Sequence, residues 1–487
     1  MFRETARGIN FRFMSGEISA EEITRYFLKR IRLGDGAVGS ILALLEEGAL
    51  AQARELDHRK SRGDKLGPLA GTPILIKDNI HICGEKTTCA SRFLEHFVAP
   101  FDAFVVTKLR EAGAIFIAKA NLDEFAMGSS TENSAFQKSY NPWDLERIPG
   151  GSSGGSAAGV SAMFAPLSLG SDTGGSIRQP AGLTNLYGFR PTYGRVSRYG
   201  LVSFGSSLDQ IGPFARDIDD LILLQEVLAH HCPLDSTSLA NAHEPLLTKD
   251  TSLQGKRLGV AFELLDRVDS DVSEVYHNAV ETFQELGCEI VPVSMAFLEY
   301  AIPTYYVLSS AEASTNLARF DGVRYGRRSP DARELEEVYR LSRMEGFGPE
   351  VKQRIFLGTF VLSSGFKEAY FQKAQKVRRL ISEEHKALFE RCDMLLLPTT
   401  PTPAFKAGEI TDPVHMYLQD LFTSSGPLVG CPSLSFPAGF SKTGLPIGLQ
   451  LEGPLMGDRE TLRFARAFQE VTPFASKSPP AFDKEFA

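Results

Sequence analysis

The sequence predicts an α/β fold: a large, mixed, mostly parallel sheet sandwiched between helices. Two stretches, residues 72–118 and 255–293, each read strand, helix, strand in that order. Parallel strands need crossover connections, usually helical, so this order implies parallel pairing. The third observation is composition. Of 487 residues, 43% are hydrophobic and 23% charged, the balance of a globular chain that can bury a large core.

The elements follow in chain order. Ser19 and Glu22 form a capping box ahead of Ile23, Phe27 and Ile31, which recur at fourfold spacing on one helix face. A second helical pattern covers about residues 41–56, so residues 1–62 are expected as an N-terminal helical segment before a main domain over 63–487. Residues 72–77 form a short β-type run, 103–112 a helix stopped by Gly113, and 114–118 a second buried strand. From 129 to 212 glycine and serine alternate with apolar runs; a tightly packed helix is expected over 157–164 and a buried strand over 167–170. The catalytic core is placed at about 65–215. Residues 272–286 are the helix of the second strand-helix-strand unit, and the charged stretch 333–391 predicts a helical lobe at about 330–390. Residues 432–440 and 446–451 flank Lys442, Thr443 and Gly444 as a hairpin, and 459–471 closes the chain as a helix.

Several function classes drop out. With 52 basic and 60 acidic side chains the net charge is −8, so no global field exists to hold nucleic acid through its phosphates. Six cysteines without a C-x-x-C pair read as reduced thiols of a cytoplasmic protein, and nine scattered histidines offer no metal-ligating spacing. The N-terminus lacks an apolar export signal. Residues 148–171 are uncharged and long enough to span a bilayer, but six glycines, six serines and two prolines mark them as packed loop and helix, not a membrane anchor.

The chemistry concentrates in two glycine-serine loops, Gly150 to Ser156 and Gly170 to Arg178, with Ser176 24 residues after Ser152. Glycine lets a backbone approach a ligand closely, and consecutive amides make an anion-binding concavity. No phosphate-loop pattern fits these glycines. Gly150-x-Ser152-x-Gly154 and Gly151-x-Ser153-x-Gly155 both match a nucleophile elbow, yet the downstream His277 and His385 sit in segments that read as solvated helix. The remaining base is Lys77, at the end of an apolar strand where desolvation lowers its proton affinity. From a reference near 10.4, a fall of roughly three units costs about 4 kcal/mol. Against this stand blander readings: Lys77 paired with Asp78, and Ser152 and Ser176 as helix caps.

Lys77 in GTPILIKDNI, Ser152 in PGGSSGGSAAG and Ser176 in GSDTGGSIRQPAG, in this order and 75 and 24 residues apart, resemble the motifs of the amidase signature family. The resemblance implies the amidase signature fold, with Ser176 as acylated nucleophile. Ser152 would be a bridging serine aimed by a cis Gly151–Ser152 peptide, and Lys77 the base. The amides of Thr173, Gly174, Gly175 and Ser176 would form the oxyanion hole. RPTYGRVSRYGLVSFGSSLDQIGP and MYLQDLFT are similar to one branch of the family, a glutaminase subunit that sends ammonia to a partner converting Glu-tRNA(Gln) to Gln-tRNA(Gln). That branch implies a heterotrimer with amidotransferase subunits B and C, tRNA contact mainly through the B component, and ATP and Mg used by the partner, with no cofactor on this chain. It also implies Arg354 for the glutamine carboxylate, Asp420 for its ammonium and Tyr305, beside Tyr306, for a hydroxyl. The alternatives are a stand-alone amidase acting on small amides and a scaffold without chemistry; for Arg354 and Asp420, a solvated helix face; for the tyrosines, core packing. The chain departs from the branch at residues 424–430 and at Phe189 and Arg190.

Overall fold

The computed structural model describes residues 1–241, 243–248 and 250–486. Eleven strands form one sheet: β1 (Ile41–Leu44), β2 (Pro73–Lys77), β3 (Ile115–Ala120), β4 (Leu167–Asp172), β5 (Tyr187–Arg190), β6 (Gln210–Ala215), β7 (Arg257–Val260), β8 (Glu289–Pro292), β9 (Met394–Pro398), β10 (Ser433–Phe440) and β11 (Pro446–Glu452). Their spatial order is β1-β3-β2-β4-β6-β5-β10-β11-β9-β7-β8.

Side-chain alternation explains the layers. On β2, Ile74 and Ile76 enter one apolar core while Leu75 enters another across the sheet; on β9, Met394 and Leu396 part from Leu395 and Leu397 in the same way. A strand apolar on both faces is buried on both, so helices must cover each side. Helices Phe104–Ala112, Ile218–Leu228, Ser270–Glu285 and Asp458–Val471 feed the first core. Ala20–Val38, Glu46–Ser61 and Gly154–Ser161 close the second. Residues 335–391 carry the helices Leu335–Gly346, Pro349–Leu362 and Lys373–Arg391. Among the described residues no helix is long and apolar enough to cross a membrane.

Three expectations are corrected. The sheet is mixed but not mostly parallel: β2 pairs in parallel with β3 and β4, and β7 with β8 and β9, while the other six of ten neighbouring pairs are antiparallel. The strand-helix-strand units do make parallel flanks. The centre is built from β5 and β6, short strands hidden in the glycine-rich stretch, and from the β10–β11 hairpin, which is antiparallel by its tight connection. The pattern read as helix over 41–56 begins as a strand. β1 pairs antiparallel with β3, and the helix starts only at Glu46, because apolar Ile41 to Leu45 serve sheet burial before helical periodicity sets in. The helix expected over 157–164 runs instead over Gly154–Ser161.

That glycine-rich helix lies directly on the sheet, over β2 and β4. A methyl group on Gly155 would enter the backbone of Asn121 and Ser40. Gly155→Ala is therefore expected to destabilise the chain by about 1–3 kcal/mol through overpacking, read as a lower urea midpoint with an unchanged slope.

Candidate active site

Lys77 ends β2 fully buried, and four acceptor atoms surround its amine. Nζ lies 2.9 Å from Ser152 Oγ, 2.7 Å from Ser153 Oγ, 3.0 Å from Ser171 Oγ and 3.3 Å from the Ser171 carbonyl. Asn79 Nδ2 donates to the same Ser171 hydroxyl at 2.9 Å. Asp78, the neighbour expected as its partner, turns to Lys119 at 2.9 Å instead. Burial lowers Lys77 to about 7, against the upward pull of Asp123, Asp172 and Asp209, none of which touches it closely enough to outweigh desolvation. A neutral amine gives two hydrogens and takes one, so hydroxyls, which donate and accept, are the partners that serve both protonation states.

The two serine loops meet at this amine. The Gly151–Ser152 peptide is cis. The Asp123 N–H donates to the Ser152 carbonyl at 3.2 Å, and the Ser153 N–H to the Ser176 carbonyl at 3.1 Å, which ties the second loop to the first. Ser176 is 8% exposed. Neither serine is a helix cap: the residues preceding the two local helices are Ser153, whose side chain makes no capping bond, and Ile177.

The turn before Ser176 folds around the Asp172 carboxylate, which accepts N–H bonds from Gly175 at 3.0 Å and Ile177 at 3.2 Å. Burial alone would raise Asp172, but Arg178 at 3.1 Å and Arg190 at 3.3 Å overcome it and hold the carboxyl at about 2. Two glycines there are sterically required. A methyl on Gly174 would enter the Tyr305 ring, and one on Gly175, at φ +140°, would enter Thr423. The Gly175 N–H, expected in the oxyanion hole, is committed to Asp172, because that bond closes the turn; Thr173, Gly174 and Ser176 are the expected donors left for an anion.

Beside this turn opens a cavity of about 290 Å³ lined by Ser129, Tyr306, Glu350, Arg354 and Tyr417. Arg354 is 3% exposed, its guanidinium 4.4 Å from the Tyr306 ring centroid, with Nε donating to Glu350 at 2.6 Å and Nη1 buried without a partner. Asp420, 6% exposed, accepts from Ser129 Oγ at 2.9 Å and Tyr306 Oη at 3.1 Å. Burial pushes its carboxyl up to about 7, moderated by those two hydroxyls. Neither residue lies on a solvated helix face. The hydroxyl that meets Asp420 is that of Tyr306; Tyr305 packs against Gly174. Ser129, Ser171 and the Asp172–Arg178 pair were not singled out from sequence, although the last three lie inside the second glycine-serine motif, and Ser153 was named only as a nucleophile-elbow match. Ser129 carried no signal beyond its place in a serine-rich stretch.

Removing the Asp172 carboxylate leaves buried Arg190 without its carboxylate and buried Arg178 with only the more distant Glu452, at 4.0 Å. Asp172→Ala is expected to cost about 3–5 kcal/mol, measured by urea unfolding of the purified chain; a loss below about 1 kcal/mol would show that the cage is not held by this pair.

A model of the amidase family matches residues 22–462. The chain is 50% identical over 486 residues to the A component of the glutamyl-tRNA(Gln) amidotransferase of Protochlamydia amoebophila (strain UWE25), covering 100% of this chain and 99% of that one. To the A component of the same enzyme of Carboxydothermus hydrogenoformans it is 49% identical, covering 98% of each. The crystal structure of the A component of glutamyl-tRNA(Gln) amidotransferase from Thermotoga maritima superposes with a TM-score of 0.80 at 40% identity, over 97% of this chain and 96% of that one. With the family match spanning nearly its whole length, and with the amine and both serine loops gathered at one buried point, the chain belongs to the amidase family.

Proposed function

We propose that this chain is the glutaminase subunit of an amidotransferase that converts Glu-tRNA(Gln) to Gln-tRNA(Gln). The observation that carries the chemistry is the buried Lys77 amine, lowered to about 7 and 2.9 Å from Ser152 Oγ. Neutral Lys77 takes the Ser152 proton while Ser152 takes that of Ser176, the serine-lysine form of triad logic. Ser176 Oγ attacks the side-chain amide carbon of glutamine, and the resulting oxyanion meets the N–H groups of Thr173, Gly174 and Ser176. As the C–N bond breaks, Ser152 hands a proton from the Lys77 ammonium to the leaving nitrogen, which departs as ammonia. Water then cleaves the Ser176 ester along the same relay and releases glutamate.

Substrate recognition follows from charge. The partnerless Arg354 Nη1 lacks an anion and the raised Asp420 lacks a cation, so together they suit the carboxylate and ammonium of a free amino acid. The names of the full-length relatives support a role as the A component of a complex. The ammonia then passes to the B component, which with the C component would bind the tRNA and use ATP and Mg to activate its glutamate; this chain itself would hold no cofactor. The N-terminal segment 1–62, which contributes β1 to the sheet, and the main domain 63–487, with its core at 65–215, would form one catalytic subunit working in the cytoplasm.

Three measurements test this. Lys77→Ala is expected to lower glutamine turnover by about 10²–10⁴-fold with the fold retained. A base must be neutral to act, so sulfonylation of Ser176 should rise as pH climbs through about 7 and level off above it; a falling profile would remove Lys77 from the role. Arg354→Ala is expected to raise KM for glutamine without abolishing Ser176 sulfonylation, since it sits away from the relay.

A further inference from the structure

We propose that Glu124 is a positioning residue for glutamine: it docks the start of the Arg354 helix onto the segment that supports the Ser152 loop. The proposal rests on the pocket reading above and adds a residue that contacts neither the relay nor the substrate. Glu124 is buried, in the short turn Glu124–Ala126. Its neighbour Asp123 holds the serine loop: the Asp123 N–H donates to the Ser152 carbonyl at 3.2 Å, and the Asp123 carboxylate accepts N–H bonds from Thr131 at 2.9 Å and Asn133 at 3.0 Å.

Glu124 reaches the other way, to the lobe. Its Oε2 accepts the N–H of Gly348, the residue preceding helix Pro349–Leu362, at 2.7 Å. Its Oε1 accepts from Ser91 Oγ, which also lies 3.1 Å from the Gly346 carbonyl. Between these bonds Phe347 stacks on Phe93 at 4.9 Å and meets Phe125 edge-on at 5.6 Å. The linker is thus clamped at Phe347 and Gly348, with the Gly346 carbonyl beside Ser91, and a methyl on Gly348 would enter Glu124. A carboxylate at a helix N-terminus also matches the helix dipole. The clamped helix carries Glu350 in its first turn and Arg354 one turn later, joined at 2.6 Å. Aromatic packing could seat the lobe loosely; the directional Gly348 bond, made to a carboxylate that Ser91 holds in place, fixes its rotation, and with it where the Arg354 fork points. Burial raises Glu124 to about 7, so keeping an ionisable group here costs stability that apolar packing would not.

The test compares Glu124→Ala, Glu124→Gln and Arg354→Ala in the amidotransferase assembled with its partner subunits, reading KM and kcat for glutamine and the rate of Ser176 sulfonylation by a small reagent without amino-acid groups. Glu124→Ala is expected to raise KM roughly tenfold, with kcat and the sulfonylation rate within about threefold of the parent. Glu124→Gln should recover most of the loss: its amide oxygen still accepts the Gly348 N–H, and its NH₂ can donate to Ser91, which then donates to Gly346. The proposal is overturned if Glu124→Ala leaves KM unchanged while Arg354→Ala raises it, or if KM rises together with an equal loss of sulfonylation, which marks general loosening. An unchanged KM in Arg354→Ala strikes the pocket reading itself, and this inference with it. Where Glu124→Ala does not fold, Glu124→Gln combined with Ser91→Ala replaces it; that pair leaves the NH₂ unpaired, and a KM no higher than that of Glu124→Gln alone overturns the proposal.

Discussion

A lysine amine taken out of water without a carboxylate in contact is the constraint on which this structure turns. In bulk solvent such an amine is an ammonium and useless as a base; here the surrounding sheet and helices remove the solvation that favours the charge. Three carboxylates, Asp123, Asp172 and Asp209, are close enough to oppose that effect and too far to cancel it. Asp78 is the residue that could have cancelled it, and it is drawn off by Lys119, itself bonded to the Ile80 and Lys86 carbonyls. The serine hydroxyls then satisfy the amine without forcing either protonation state on it.

That arrangement needs a dry and stiff setting, which the central strands supply. β2 lies between β3 and β4, every residue of all three is buried, and Lys77 projects from the end of the middle strand. The glycine-serine loops can crowd this point because they carry little side-chain bulk. Their shape is held by ionic scaffolding set just behind them. Arg178 reaches Asp172, Gln450 at 2.9 Å and the Thr423 carbonyl at 2.7 Å, so one buried cation joins β4, β11 and the segment that bears Asp420. Such a cage costs desolvation and is retained where geometry matters more than stability.

The pocket differs in kind from the cage. Asp172 is fully paired, whereas Arg354, though joined to Glu350, keeps one buried nitrogen without a partner among the described residues, and Asp420 accepts from the Ser129 and Tyr306 hydroxyls instead of a cation. Paired buried charges hold shape. Half-satisfied ones bind, since a ligand with the complementary charges relieves both at once. Glu350 and the stacked Tyr306 and Tyr417 rings keep the Arg354 guanidinium in place without consuming its free nitrogen.

Local pattern was enough for much of this. Lys77, Ser152 and Ser176 stood out together because their motifs, in that order and at those separations, resemble those of the amidase signature family, and the strand-helix-strand units around them announced themselves by periodicity. β1, β5 and β6 did not, because four to six residues in a glycine-rich or helix-like context carry no distinct period. Nor could order along the chain tell Tyr305 from Tyr306, adjacent on one helix, one facing Gly174 and the other Asp420. The sequence by itself determined which chemical groups exist and which stretches bury themselves, for those depend on neighbours a few residues away. Tertiary structure alone decided which Lys77 acceptor lies where, that Gly175 gives its N–H to Asp172, and that Asp78 leaves Lys77 for Lys119, because hydrogen bonds and desolvation act through space between segments up to hundreds of residues apart.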